Sequence, residues 1–414
     1  MRRGSATPLV VVTLAALGGC HDDAWQAASG SRAPDSAVTR ALGDYGRGTS
    51  DLAADHVAKI DPPGALRPCC AFGSGLQVET GRVPIPGVEV GDVTGRERLG
   101  PHRYGNGFVS LHRHDPHGWF DDEGNGVVYT CRGGFLDTAR VRDNADLTLA
   151  CASNIARLMD RGGTFAFPSE GATIVARIEA VDPGLVERHG RRELVVSMAR
   201  WLDFQVSTWH EIATWYGYAA IAGWPEKISA FSPEDLYSSL VGGRIAGGIV
   251  EAHGVSGGDE YDRDMDAWIQ QVGKRLGALP MAESRRAMES VDGTWWDSSR
   301  RAPDWQLVRR RDFDIGPVVV PWLVTDATPR PAKAFDGCPP GTGPLALRAP
   351  DGFEGMAFHD WITLEIEVGD QLATSGFPFP RPGSRAINQD DFPFVVAAAR
   401  RENAAAFGAP ADAP

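Results

Sequence analysis

Residues 198–217 read MARWLDFQVSTWHEIATWYG, and this stretch predicts a long amphipathic helix at the centre of the fold. At 3.6 residues per turn, its large apolar side chains fall within one arc of about 140°. The members of this arc are Met198, Trp201, Phe204, Trp209, Ile212, Trp215 and Tyr216. A stripe so rich in aromatic residues needs a core to pack against, so we expect this face to be buried.

The opposite side of the same helix is polar and occupies about 100° of the helical wheel. It consists of Asp203, Ser207, His210, Glu211 and Thr214, and residues 201–217 contain no lysine or arginine. One interpretation is an ordinary solvated face. The other is a set of hydroxyl, imidazole and carboxylate groups used for ligation or proton transfer in a cleft. The sequence leaves both open.

Helical patterns continue on both sides of this stretch, and short strand-like runs lie between and beyond them. Helices are predicted at 143–160, 183–217, 233–252, 260–277 and 281–290, and strands at 126–131, 172–181, 318–324 and 361–368. We therefore expect an α+β fold with a mostly helical central region and a small mixed or antiparallel sheet.

The N-terminus has the parts of an export signal. Met1-Arg2-Arg3 is basic, residues 6–16 are apolar, and Leu17-Gly18-Gly19-Cys20 resembles a lipobox, in which the cysteine is acylated before the leader is removed. The apolar run is shorter than the roughly 20 residues that span a membrane as a helix. We expect a lipoprotein signal at 1–19 and a membrane partner reached through lipid, such as palmitate, on Cys20. A plain secretory signal is the alternative.

The residues after the signal suggest how the rest of the chain is divided. His21 rather than aspartate follows Cys20, which by resemblance to known sorting rules favours the outer membrane of the cell envelope over the inner. Residues 20–62 are rich in Ala, Ser, Asp and Gly and predict a lipid-anchored flexible tether. We expect a main globular domain at 63–330 and a C-terminal extension with one strand and a frayed tail at 331–414.

Charge and cysteine content limit the partners and the chemistry. The formal net charge of −13 argues against nucleic acid as a partner, because a phosphate-binding face needs clustered Lys and Arg. Apart from Cys20 the cysteines are odd in number, so at least one is free, ligating or reactive. They are Cys69, Cys70, Cys131, Cys151 and Cys338. The adjacent Cys69 and Cys70 can hardly bridge each other without strain.

Two histidine motifs invite comparison with metal enzymes. In zinc proteases the H-E-x-x-H spacing puts two histidines on one helical face, but here Thr214 follows His210-Glu211 at the place of the second histidine, which excludes that class. The run 112–117, HRHDPH, is near the H-x-H-x-D-H of metallo-β-lactamase-like hydrolases but has its aspartate one place early. A polar loop that binds metal only adventitiously is its simpler interpretation.

The run Tyr129–Asp137, YTCRGGFLD, predicts a strand that ends in a glycine turn before a helix, a place where chains commonly present residues to a site. Cys131 would be a nucleophile if a histidine and a positive field lowered its pKa. Asp137 and Asp146 would serve as carboxylates. The alternatives are a small buried cysteine and an aspartate that caps the following helix.

Several motifs, in order, resemble one known family. They are RPCCAFG at 67–73, YTC and GFLD within 129–137, STWHEIATWYG at 207–217, SAFSPEDLYS at 229–238, VDGTWWD at 291–297 and PWLV at 321–324. Over about 63–325 the chain is similar to the bacterial domain-of-unknown-function family 4056, uncharacterised envelope proteins of which many carry lipoprotein signals. The resemblance implies no particular activity.

Two departures from the family pattern bear on the chemistry. The family often has histidine at the place of Arg140 and asparagine at the place of Ser239. If that histidine is a ligand or a general base, this chain is weakened there or uses a different residue.

Two functions remain open. The first is an envelope hydrolase that acts on peptidoglycan, lipid or protein termini, with a divalent metal ion as an optional cofactor. Its candidate catalytic residues are His210, Glu211, Cys131 and Asp137, its candidate metal ligands are His210, Glu211, Asp137 and Asp146, and further candidates are Cys69, Cys70, Asp203 and Ser207. The second is a non-catalytic binding or assembly lipoprotein, in which the polar helix face contacts an envelope protein partner.

Overall fold

The computed structural model describes residues 32–43, 57–64, 66–67, 71–80, 83–90, 93–107, 123–219, 225–326, 335–349, 351–353 and 355–408. Its helices are α1 (Asp35–Leu42), α2 (Thr138–Leu158), α3 (Pro183–His189), α4 (Arg191–Trp215), α5 (Asp235–His253), α6 (Asp259–Leu276), α7 (Met281–Ser290), α8 (Asp370–Thr374) and α9 (Phe392–Phe407). Its longer strands are β1 (Leu76–Thr80), β2 (Val83–Val90), β3 (Val127–Thr130), β4 (Gly134–Asp137), β5 (Gly163–Ala166) and β6 (Ala172–Ile178). The later strands are β7 (Val318–Val319), β8 (Leu347–Arg348), β9 (Gly352–Phe353), β10 (Met356–Ala357), β11 (Ile362–Val368) and β12 (Ala386–Ile387).

Three long helices, α2, α4 and α5, form the centre of the molecule. The aromatic stripe of α4 is buried as predicted; Trp209 lies 6.5 Å from the ring of Phe392 and Trp215 packs edge to face on Trp305. Helix α2 is buried from Thr138 to Ala156 on every side. Because no face of α2 meets water over that length, its polar side chains must find their partners inside the protein.

A four-stranded antiparallel sheet lies beside these helices in the order β12-β11-β6-β5. Side chains of β6 alternate between buried and more exposed positions, and so do those of β11, which is the pattern of a sheet with one face on the core. Ile174 is paired with Ile366 and Ala176 with Leu364 on the buried face. Together with the helices, this sheet confirms the α+β class and the small antiparallel sheet.

A second hydrophobic cluster surrounds the β3–β4 hairpin and α7. Phe135 of β4 contacts Phe72 and Tyr129 edge to face, with ring centroids 5.2 and 4.8 Å apart. Trp295, which follows α7, packs on the same group. The YTC and GFLD motifs are therefore the two strands of a buried hairpin that leads directly into α2.

Both ends of the chain contain helices that were not predicted, Asp35–Leu42 and Phe392–Phe407. The tether predicted at 20–62 is interrupted by α1, whose Val38 and Leu42 are buried in the core, because its apolar residues are spaced to form one helical face. The region 331–414 is not an appendage, since β11 pairs with β6 along its whole length. In the described part of the tail, α9 continues through an alanine-rich stretch to Phe407, as helix propensity favours.

Two predicted elements are shorter than expected. The helix predicted at 183–217 is divided at Gly190, whose φ of 81° ends α3 before α4 begins. Only Val318 and Val319 of the strand predicted at 318–324 pair with a neighbour, and Pro321 soon after has no amide hydrogen to offer a partner strand. Among the helices of the described ranges, none combines the length and the apolar character that crossing a bilayer requires.

Candidate functional site

The polar face of α4 lies against α2, and the structure thereby decides between the two interpretations of that face. Asp203, Ser207, His210, Glu211 and Thr214 are each at most 4% exposed, so the solvated-face interpretation is wrong. Polar residues spaced four apart along α4 contact polar residues spaced four apart along α2, and the two series run in opposite directions along the chain. We call this arrangement the polar ladder, and its rungs are Glu211 with Arg140, Ser207 with Asn144, and Asp203 with Thr148.

The first rung is an ion pair. Nη2 of Arg140 lies 2.5 Å from Oε1 of Glu211 and 3.5 Å from Oδ1 of Asp235 at the start of α5. Oε2 of Glu211 accepts a 2.6 Å hydrogen bond from the amide of Phe231, a bulky residue held at a φ of 55°. A positive φ in such a residue is unusual and costs energy, so Glu211 helps to hold this backbone turn in place.

The other two rungs contain no basic side chain. The hydroxyl of Ser207 donates to the side-chain oxygen of Asn144. Burial raises the pKa of Asp203 well above its usual range, and the neighbouring Thr148 hydroxyl only partly offsets this. A protonated Asp203 avoids the cost of a buried unpaired charge.

Glycines of α5 allow this helix to close over the ladder. A Cβ atom at Gly242 would lie 2.3 Å from the carbonyl oxygen of Val141, and one at Gly247 would lie 2.2 Å from Nε of Arg200. Both distances are far below van der Waals contact. Because the contact at Gly242 is with backbone, a larger residue does not fit there unless the helices move apart, and α5 thus packs closely against α2.

His210 lies one residue before the first rung and is held by Glu170, which precedes β6. Nδ1 of His210 is 3.1 Å from Oε1 of Glu170, and both side chains are nearly fully buried. Burial lowers the pKa of His210 and the charge of Arg140 lowers it further, but Glu170 and, to a smaller extent, Glu211 raise it, and the net result is a pKa above its usual value. The histidine is thus oriented and made more basic by a carboxylate, which is the arrangement of many general bases.

More carboxylates surround Arg140. Oδ1 of Asp137 accepts hydrogen bonds from the amides of Ala139 and Arg140, so Asp137 is the N-cap of α2, as one of the two interpretations predicted. Glu234 is buried, and neither of its carboxylate oxygens has a well-directed hydrogen bond in the described part of the chain. Burial, and then the charge of Asp137, raise the pKa of Glu234 to about 8.

Asp146 belongs to a different cluster on the far side of α2. It forms an ion pair with Arg67 at 3.1 Å and lies 2.9 Å from Nε2 of His102. Arg67 also pairs with Glu123 at 2.6 Å and with Asp143 at 2.8 Å. Although burial alone would raise the pKa of Asp146, His102 and Arg67 hold it below its usual value. The cluster fixes the early chain onto α2.

The predicted metal ligands are therefore not brought together. Asp137 and Asp146 are nine residues apart on one helix, which corresponds to about 13 Å along its axis. Within the described ranges, no group of three or more His, Cys, Asp or Glu side chains is arranged to hold a metal ion. Arg140, rather than a vacant position, faces Glu211 and Asp235.

The cysteines are placed as follows. Cys131 forms a disulfide with Cys338, 207 residues further along the chain. It therefore has no thiolate, and the prediction that Cys131 is a nucleophile is wrong. Cys151 is a buried free cysteine. The candidates Cys20, Cys69 and Cys70 and the histidine run 112–117 lie outside the described residues.

Comparison with known proteins gives one family. A family model described as "Protein of unknown function (DUF4056)" matches residues 57–325. The chain belongs to this family. No curated protein and no solved structure matches the chain. The DUF4056 match contains both the polar ladder and the His210–Glu170 pair, whereas the sheet strand β11 and the disulfide partner Cys338 come from residues beyond it.

Several residues of this DUF4056 site were not predicted. Glu170 lies between two strands, where no periodicity marks it, and 40 residues separate it from His210. Arg140 drew attention only as a departure from the family pattern. Asn144 could have been predicted. It follows Arg140 by one helical turn, and the polar residues of α4 have the same spacing.

Proposed function

We propose that this chain is a lipid-anchored enzyme of the cell envelope that hydrolyses an envelope substrate, with His210 as general base. The observation that carries the proposal is the 3.1 Å contact of His210 Nδ1 with Glu170 Oε1, between two side chains that are nearly fully buried. With Nδ1 directed at a carboxylate, the Nε2 side of the ring is the one that takes a proton from water. The lipobox-like sequence before Cys20 supports the anchored location.

Arg140 supplies the positive charge of the proposed site. Its guanidinium is close enough to His210 to lower the pKa of that imidazole, and it is held by Glu211 and Asp235. A fixed cation beside a general base stabilises the negative charge that develops on the carbonyl or phosphoryl oxygen during attack by water. Glu211 is thus a positioning residue in this proposal rather than the base.

The second candidate is a binding or assembly lipoprotein without catalysis. The observation that favours it is the burial of the whole polar ladder, with His210 only 4% exposed, since a buried polar network also specifies a unique helix packing. The two proposals are separated by incubating the purified chain with peptidoglycan sacculi and with phospholipid vesicles. Soluble products that depend on His210 support the enzyme; reproducible crosslinking to one envelope protein without product supports the binding protein.

A further inference from the structure

A cleft lies on the other side of α4, between that helix, the turn at 313–316 and α9. It has a volume of about 530 Å³, within the range of about 300–1,000 Å³ that is typical of small-molecule sites. Gln205 and Thr208 line it from α4, and no residue of the polar ladder does. The two side chains point about 140° and 160° around the helix from His210. The cleft is therefore separate from the polar ladder.

The inner part of the cleft is apolar. Phe313, Phe392 and Val396 line it, and all three are at most 6% exposed. The two phenylalanines pack against tryptophans of the core. The ring of Phe313 lies 5.5 Å from that of Trp215, and the ring of Phe392 lies 6.5 Å from that of Trp209. A wall backed by tryptophans in the main core does not collapse easily, so the cleft is a preformed apolar surface.

The outer part of the cleft is positively charged. Arg400 and Arg401 line it and both are exposed, and the charge of Arg400 also acts on the nearby carboxylate of Asp312. Nη2 of Arg400 donates a 3.1 Å hydrogen bond to the carbonyl of Phe313, which holds its guanidinium beside the apolar wall. The acidic lining residue, Asp314, accepts a hydrogen bond from the amide of Gly316 and belongs to its own turn.

We propose that this cleft binds a small amphipathic anion. Its apolar body would lie against Phe313, Phe392 and Val396, and its carboxylate or phosphate head would lie between Arg400 and Arg401. Guanidinium groups suit this role because they bind both kinds of oxyanion through paired hydrogen bonds. The proposal does not depend on the hydrolase, since no residue of the cleft belongs to the polar ladder.

The ligand class is tested with a Cys20→Ser chain, which removes the acylation site and permits measurement without detergent. Anilinonaphthalene sulfonate, itself an amphipathic anion, is bound first and then displaced by four ten-carbon compounds. We expect decanoate or decyl phosphate to displace it at a concentration at least tenfold lower than decanol or decyltrimethylammonium. The stronger of the two anions identifies a carboxylate or a phosphate head. Equal displacement by all four compounds would overturn the proposal.

The location is tested with charge-reversal variants. Arg400→Glu with Arg401→Glu should weaken decanoate binding at least tenfold, whereas Arg40→Glu with Arg161→Glu, which makes the same change of charge at exposed arginines elsewhere, should not. Ala397→Trp places a large ring in the cleft and should abolish binding even if the charge-reversal chain does not fold. Decanoate binding that survives in the Ala397→Trp variant, or falls equally in both double variants, would contradict the proposed location.

Discussion

The guanidinium of Arg140 lies 2.5 Å from the carboxylate of Glu211 at a point where neither side chain is more than 4% exposed. The pair joins α2 to α4 and is the charged rung of the polar ladder. A buried ion pair is costly to assemble, and removal of one partner leaves the other as an uncompensated charge. The pair should therefore be far more sensitive to single substitutions than an ion pair on the surface.

Substitution Arg140→Met should lower the free energy of unfolding by about 3–5 kcal/mol, as is typical for breaking a buried pair. Arg140→Met combined with Glu211→Leu should cost less than Arg140→Met alone, because the carboxylate closest to Arg140 is then removed together with its cation. Urea denaturation measures both. The control is Arg177→Met, whose pair with Glu365 is nearly half exposed and should change stability by at most about 1 kcal/mol. Equal effects of Arg140→Met and Arg177→Met would contradict a buried ionic rung.

Glu234 should make the protein less stable as the pH rises. Burial, with the charge of Asp137, raises its pKa from 4.5 to about 8 in the folded chain. Between these values the folded state holds a proton that the unfolded state has released, so the free energy of unfolding falls with increasing pH. The Glu234→Gln variant has no carboxyl group to titrate at this position. Between pH 5 and pH 8.5 its free energy of unfolding should fall by at least about 1 kcal/mol less than that of the native chain.

Comparison of the two chains reports Glu234 together with its effect on Asp235, whose pKa it raises. His210 and Asp143 also have raised pKa values and change stability in the same direction, but they are present in both proteins and cancel in the difference. Denaturation curves at four pH values are sufficient. Parallel losses in the native chain and in Glu234→Gln would show that Glu234 is ionised in the folded state at neutral pH.

The disulfide between Cys131 and Cys338 should contribute strongly to stability. It closes a loop across 207 residues, and the loss of a native disulfide typically costs about 2–5 kcal/mol. The free energy of unfolding should fall by the same amount in Cys131→Ser, in Cys338→Ser and in the double variant, because either substitution removes the one bond. Chemical denaturation measures the loss, and a non-reduced digest should contain a linked peptide that separates on reduction. Additive losses would show that the two cysteines act independently.

The sequence allowed the helical frame to be predicted because its signals are local. The helix predicted at 281–290 has the observed bounds Met281–Ser290, since Pro280 precedes it and fixes its start. The aromatic stripe of α4 likewise identified a core face. Gly190 was inside a predicted helix, yet its positive φ divides the segment; glycine alone does not reveal which φ it adopts.

The site was only half predictable. His210 and Glu211 stood out because they interrupt an aromatic helix, but their partners depend on tertiary contacts. Glu170 comes from a loop beside the sheet and Arg140 from another helix, and nothing in either local sequence specifies that contact. The assignment of Cys131 failed for the same reason, since its partner Cys338 lies outside the region that carries the family motifs.

The His210–Glu170 contact is the centre of the proposed function, and the pH dependence of hydrolysis by the purified chain tests it most directly. With sacculi or phospholipid vesicles as substrate, product release should rise with pH as His210 loses its proton, and the midpoint should move to lower pH in Glu170→Gln, because the group that raises the pKa of His210 is gone. His210→Gln should reduce the rate by about 10²–10⁴-fold at an unchanged melting temperature. A His210→Gln chain that releases product at the native rate, or a native chain that releases none, would contradict the account.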